Sequence, residues 1–184
     1  MNIKEEFIKN FPIYKGTKQT PYIILFDAYT GMGKSTVAKE IAKQDASIIL
    51  NNDEVRNWMN DYQDSSNLRK ELQNYRLEEL LKNNNSCICD SCFCHNWKDK
   101  IVYYNSLGYK YYIIRIECRE STIKERLSKR VVNKENYSIA NFNDYTWMKE
   151  NVSRVDDNLI DYIIDTEEDI EKQVTEFLNK YKLI

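Results

Sequence analysis

Residues 27–36 read Asp-Ala-Tyr-Thr-Gly-Met-Gly-Lys-Ser-Thr, and their types and spacing suit the handling of a polyphosphate. Gly31 and Gly33 allow a tight backbone path whose successive N–H groups surround phosphate oxygens. A helix predicted to start at Lys34 adds the favourable dipole of its N-terminus. In this register Gly31, Met32, Gly33, Lys34, Ser35 and Thr36 form the nucleotide cradle, with Lys34 reaching the β and γ phosphates and the Ser35 hydroxyl ligating Mg²⁺. The loop suits a purine nucleoside triphosphate, ATP or GTP. Read alone, Gly-Met-Gly is only a turn; the strand, lysine, hydroxyl and helix in register make it a phosphate site. One position departs from the eight-residue phosphate-loop pattern, whose first glycine is Ala28 here. Alanine is strained only in the left-handed region, so Ala28 implies a backbone angle that needs no glycine.

A second group follows at Asn51-Asn52-Asp53-Glu54-Val55-Arg56. In-line phosphoryl transfer needs an oriented nucleophile and a neutralised γ-phosphoryl group. Asp53, at the C-terminal edge of a predicted strand and hence on the ligand side of a parallel sheet, can accept a hydroxyl proton. Arg56 lies three residues on, so the two share a helical face. The structural alternative is that Asp53 caps the next helix, a position aspartate favours. Asp90 ends a third predicted strand, where phosphate-loop enzymes carry an acidic group acting on Mg²⁺, with a turn or cap as its alternative. Residues 119–134 concentrate Arg119, Lys124, Arg126, Lys129, Arg130 and Lys134 against Glu120 and Glu125. The segment is either an anion clamp or a solvated face. Arg126 and Arg130, four apart, can present guanidinium groups on one side.

These residues resemble the P-loop kinases of the polynucleotide-kinase-like group, weakly across 22–177 and strongly across 26–58. In that group the strand after the phosphate-loop helix ends in Asn-x-Asp with Arg three residues on, as Asn51, Asp53 and Arg56 do here. The resemblance implies that Asp53 activates the acceptor hydroxyl and that Arg56 holds the acceptor's phosphate. It implies Mg²⁺ held by Ser35 and Asp90, and catalytic contributions from Lys34, Arg126 and Arg130. Arg126 falls on the helix entering a lid near 126–154, and Arg130 falls in the lid itself. The implied reaction is transfer of the ATP γ-phosphoryl group to a hydroxyl, foremost the 5′-hydroxyl of a polynucleotide. The alternatives are a kinase for a nucleoside, sugar or antibiotic, and an NTPase with water as acceptor. Tyr62, Tyr75, Trp58 and Trp97 are candidate base-stacking residues, the alternative being that a tyrosine-rich chain scatters aromatics through its core and surface without ligands.

The elements that must position these groups are legible as alternation. Apolar runs at 22–26, 48–50, 87–89, 111–116 and 162–164 read as strands. Helical patterns are predicted over 34–43, 53–60, 66–81, 94–107, 121–128, 144–152 and 167–181, with a further helix at 3–11. Five strands with helical crossovers predict an α/β P-loop NTPase three-layer sandwich with a mostly parallel sheet and a helical lid. The division expected is an arm at 1–20 and a kinase domain at 21–184.

Composition narrows the class. With 42 % hydrophobic and 30 % charged residues in 184, the chain builds one substantial core and falls outside disordered or multi-span compositions. A net charge of −2 disfavours a globally basic nucleic-acid scaffold. Five cysteines without a leader favour reduced thiols in a cytoplasmic setting. Cys87, Cys89, Cys92, Cys94 and His95 could bend around zinc, yet the separated ligand pairs of structural sites are missing, and strand cysteines are ordinary core residues. Nothing in the sequence marks a membrane segment or an obligate protein partner.

Overall fold

The computed structural model describes residues 2–59, 66–130 and 138–184. After α1 (Ile3–Asn10), the chain enters β1 (Tyr22–Asp27), which is buried along its whole length, as a central strand of a parallel sheet must be. It continues through α2 (Lys34–Asp45), β2 (Ile48–Asn51), α3 (Asn52–Trp58), α4 (Ser66–Lys82) and β3 (Cys87–Cys92). Then come α5 (Trp97–Ser106), β4 (Lys110–Glu117), α6 (Glu120–Ser128), α7 (Phe142–Asn151), β5 (Tyr162–Asp165) and α8 (Ile170–Lys180). The strand order is β2-β3-β1-β4-β5 and every pairing is parallel, so the sheet expected to be mostly parallel is parallel throughout. Helices flank it in an α/β three-layer sandwich of the P-loop kind. Among the described residues no helix is long and apolar enough to cross a membrane.

Two features of register shape the C-terminal edge of the sheet. β1 stays in step with β4 along its whole length, which sets Asp27 beside Arg115. Between β1 and β3 the register slips after Leu25, so that Phe26 pairs with Cys92 while Asp90 pairs across to Asn51 of β2. The slip leaves Asp90 and Ser91 outside the β1 ladder at the mouth of the sheet.

The main core runs along the sheet and the inner faces of α2, α6 and α8, with Ile23, Leu25, Ile41, Ile113, Ile123 and Phe177 at its centre. A second apolar cluster joins α1 to α3 and α4 through Phe7, Phe11, Val55, Met59 and Leu72. The segment behind α1 is also fastened: the Gly16 amide donates to the Asn83 carbonyl at 2.7 Å. A Cβ at residue 16 would stand 2.2 Å from the Asn84 carbonyl oxygen, so only glycine lets the arm lie this close.

Helix ends depart from the expected ones for local reasons. The helix expected at 94–107 starts at Trp97, because Asn96 is left-handed (φ 57°) and the Cys94 thiol is engaged with the Ala28 carbonyl. The closing helix starts at Ile170 rather than 167, with the Asp169 carboxylate capping Lys172 N and Glu167 drawn to Arg119 and Thr122. α7 starts two residues early, at a reciprocal cap between Asn141 and Asp144. Asn60, the expected last residue of α3, lies outside the described residues.

Phe7 is fully buried. Phe7→Ala is therefore expected to cost about 3–5 kcal/mol in urea unfolding; a loss below about 1 kcal/mol would mean that the arm does not fold with the body.

Candidate active site

The phosphate loop has the geometry its residues imply. Gly31 and Gly33 have φ of +79° and +100°, whereas Ala28 is not among the left-handed residues. A Cβ at Gly31 would stand 2.9 Å from Ile123 and Leu127, and one at Gly33 would stand 2.9 Å from Thr166. The loop thus lies against α6 on one side and the β5–α8 turn on the other. Lys34 donates from Nζ to the Tyr29 carbonyl at 2.8 Å, a bond within the loop itself.

Asp27, the last residue of β1, anchors this loop from below. Its carboxylate is fully buried and accepts from Arg115 Nε at 2.7 Å, Arg154 Nε at 3.0 Å and the Val155 amide at 3.2 Å. Arg154 also donates to the Asp27 and Ile116 carbonyls and stacks its guanidinium over the Tyr29 ring. The Tyr29 hydroxyl donates to the Val152 carbonyl at 2.7 Å. Sequence reading missed this cluster, whose members lie about 90 and 130 residues apart with no local pattern linking them.

On the β2 and β3 side the structure brings the two predicted aspartates together. Asn51, not Asp53, caps α3: its side-chain oxygen accepts from the Asp53 and Glu54 amides at 2.8 and 3.2 Å. The Asn-x-x-Glu spacing from 51 to 54 was the available signal. Asp53 is thereby released from capping, and its carboxylate pairs with Arg56 at 2.9 Å. Asp90 is 8 % exposed. Burial pushes its carboxyl above the ordinary carboxylate value, against the pull of Lys34 and a hydrogen bond with Ser35, while Asp53 adds to the rise. Asp90 therefore feels Lys34, Ser35 and Asp53 at once. Ser35 and Asp90 offer hard oxygen donors at one point beside the loop, a set that fits Mg²⁺ with a nucleotide and water completing its shell.

The two predicted clamp arginines occupy different places. Arg126 donates to the Thr166 hydroxyl at 2.8 Å and the Thr166 carbonyl at 2.9 Å, and that hydroxyl in turn donates to the Met32 carbonyl. Arg130 donates to Ser138 Oγ at 2.9 Å and the Ala140 carbonyl at 3.3 Å. Burial lowers its pKa, with the charge of Asp53 opposing the shift. Arg119 and Lys129 of the same basic run pair with Glu167 and Glu125, so that run is part surface and part site. Lys134 lies outside the described residues.

Gly31, Gly33, Lys34, Ser35, Asp53, Arg56, Asp90, Arg126 and Arg130 all line one cleft of about 1220 Å³. Seven lysines and arginines line it against three aspartates, although the whole chain carries a net charge of −2. Lys39 of α2 and Arg69 of α4 are cations that sequence reading did not single out. The stacking aromatics are placed elsewhere. Trp58 packs with Phe7 and Phe11, Trp97 is buried in the core, Tyr75 lies under Lys4, and Tyr62 is outside the described residues.

The cysteine run is core and loop. Cys87 and Cys89 are buried in β3, and burial raises both thiols, Cys89 to about 11; Cys94 is likewise pushed up to about 11. Among the described residues no three His, Cys, Asp or Glu side chains gather as a metal cluster.

With this geometry in hand, a family model for the AAA domain matches residues 24–155. No curated protein matches the chain by sequence. Solved structures match by fold. A putative kinase from Chloroflexus aurantiacus is 15 % identical with a TM-score of 0.67, over 88 % of this chain and 98 % of that one. The Mycobacterium tuberculosis APS kinase CysC in complex with AMPPNP and APS is 14 % identical with a TM-score of 0.59, over 89 % and 98 %. The shikimate kinase from Bacteroides thetaiotaomicron is 14 % identical with a TM-score of 0.56, over 89 % and 98 %.

Folding raises the Asp90 pKa above its unfolded value, so the folded chain holds that proton more tightly. Stability from this group is present in acid and is lost as pH rises from the ordinary carboxylate range through the raised value. Asp90→Asn should melt above wild type at pH 8 without Mg²⁺, with the gap closing toward pH 4. Parallel melting curves across that range would overturn the assignment.

Proposed function

The chain belongs to the AAA-domain family, and from that premise we propose that it is an ATP-dependent kinase whose acceptor hydroxyl sits beside Asp53. The observation that carries this reading is that Lys34, Ser35, Asp53 and Asp90 line one cleft, with Asn51, whose side chain caps the helix bearing Asp53, paired to Asp90 across the β2–β3 ladder. The order of the sheet supports the polarity. The phosphate loop follows central β1, Asp53 follows β2 at one edge, and Thr166 follows β5 at the other. β2 and β1 stand two strand spacings, about 10 Å, apart, leaving room between their C-terminal ends for a γ-phosphoryl group and a hydroxyl.

Each residue then has a task. Lys34 exchanges the Tyr29 carbonyl for phosphate oxygens when nucleotide enters. Mg²⁺ would be held by Ser35 and Asp90, supplying charge neutralisation on the β and γ oxygens. Arg56 engages Oδ1 of Asp53, and the other carboxylate oxygen takes the hydroxyl proton as the phosphoryl group moves. Arg130, which lines the same cleft as Asp53, stabilises the transferred oxygens. Arg126, held on Thr166 at the β5 edge, serves the base end of the nucleotide. The five free cysteines suit a reducing, cytoplasmic setting.

Arg56 and the Asn51, Asp53 and Arg56 spacing favour an acceptor with a phosphate near its hydroxyl, the 5′-hydroxyl end of a polynucleotide. A small anionic acceptor is the second reading, favoured by the position of Trp58, Tyr75 and Trp97 away from the cleft.

The deciding experiment is transfer of radiolabelled γ-phosphate from ATP with Mg²⁺ to 5′-hydroxyl RNA and DNA, nucleosides, sugars and small carboxylates, with Lys34→Ala as blank. Label on an oligonucleotide selects the first reading, label on a small anion the second, and label in free phosphate alone overturns both. Asp53→Asn should bind ATP as wild type does while transfer falls about 10²–10⁴-fold; undiminished transfer would remove Asp53 as the base. Arg130→Ala should lower kcat about 10²-fold, and Arg126→Ala should chiefly raise the KM for ATP. Steady-state kinetics that reverse this pattern would reverse the two assignments.

A further inference from the structure

We propose that Gln73 is a positioning residue for Asp53, an inference that rests on reading Asp53 as the base. From α4, the Gln73 amide nitrogen donates to the Asn51 carbonyl at 3.2 Å and to Asn52 Oδ1 at 3.0 Å. Asn51 is the last residue of β2, and each of its other polar side-chain atoms is committed to the site. Its Oδ1 accepts from the Asp53 and Glu54 amides, and its Nδ2 donates to the Asp90 carboxylate at 3.4 Å. One chain of hydrogen bonds therefore runs from α4 through Asn51 to the segment bearing Asp53 and to Asp90.

The burial of Gln73 argues that this is more than packing. Gln73 is 8 % exposed, and among the described residues its Oε1 is buried without a partner, as is Arg76 Nε one turn further along α4. An unpaired buried carbonyl oxygen is a standing cost to folding, and an apolar side chain of similar size would avoid it. The NH₂ end does what no apolar side chain can: it fixes the backbone from which Asp53 projects. The second apolar cluster braces α4 for this task, with Phe11 of the arm under the Arg76 guanidinium and Leu72 beside Phe7. The arm thus reaches the reaction centre through α4 without touching the cleft.

The test uses the full chain carrying Gln73→Met. The expected result is a kcat about tenfold lower, with the KM for ATP and the Kd for a non-hydrolysable ATP analogue within twofold of wild type. Thermal melting should be unchanged or higher, which a merely structural amide would not allow. Hydrogen exchange at the Asp53 and Glu54 amides should quicken about tenfold. In an Asp53→Asn background Gln73→Met should cause no further loss, because it acts through that carboxylate. An unchanged kcat, unchanged exchange, or a loss that adds in full to that of Asp53→Asn would overturn the proposal. Gln73→Glu, which keeps the length but removes both N–H donors, gives the same reading if the methionine variant does not fold. If wild type labels no hydroxyl acceptor, the kinase reading falls, and the exchange rates alone decide whether Gln73 holds the corner.

Discussion

The carboxylate of Asp27 is the point on which the site is built. A fully buried charge is tolerated only when it is paired and hydrogen-bonded, and Asp27 meets that condition with two guanidinium groups and a backbone amide. Removing one member would strand buried charge at a cost of about 3–5 kcal/mol. The partners come from three places: the β1 terminus, the middle of β4, and the segment after α7. The pairing therefore fixes the take-off of the phosphate loop relative to the sheet and to the segment after α7 in one step. Tyr29 extends the hold into the loop, its ring under Arg154 and its hydroxyl on Val152. A glycine-rich loop is entropically expensive to hold in one path, and this anchorage, with α6 and Thr166 pressed against its glycines, preorganises it.

From that fixed centre the order of the sheet assigns sides. β1 is flanked by β3 and β4, the place where successive crossovers diverge and ligands settle in open α/β sheets. Acidic chemistry gathers on the β2 and β3 side, where the register slip sets Asp90 outside the β1 ladder and the Asn51 cap presents Asp53. The opposite side carries Thr166 and Arg126. Two arginines four residues apart thus make different contacts in one cleft, because the first is tied to the β5–α8 turn and the second to Ser138 and Ala140.

What could be read from the sequence follows from the range of the interactions. The phosphate loop and its flanking strand and helix are local, so residue types and spacing sufficed to place Gly31, Gly33, Lys34 and Ser35. The parallel order was legible because βα alternation leaves few arrangements. The Asn51 cap was within reach, yet the preference of aspartate for caps drew attention to Asp53 instead. Starts of α5 and α8 were misjudged because tertiary bonds at Cys94 and Glu167 override helical pattern. The Asp27 cluster and the Gln73 clamp carry no sequence signal, since a long-range hydrogen bond imposes no periodicity on either partner. The aromatic residues stayed open for a related reason: in a chain with 14 tyrosines, ring chemistry says nothing about which rings face a cleft.

The three acidic residues of the cleft also argue for its chemistry. A cavity with a surplus of lysine and arginine is built to receive anions, and a carboxylate placed there opposes that purpose. Asp144 has a structural reason, since its side chain accepts from the Asn141 amide in the cap of α7. Asp53 has no capping task, because Asn51 performs it. Asp90 is held buried at a cost that shows as its raised pKa. The partly exposed Asp53–Arg56 pair on one helix face and the single long bond from Asn51 to Asp90 contribute little to folding. Both aspartates are explained if one accepts a proton from an incoming hydroxyl and the other holds a cation against the phosphates, tasks that a cleft of cations alone would leave undone.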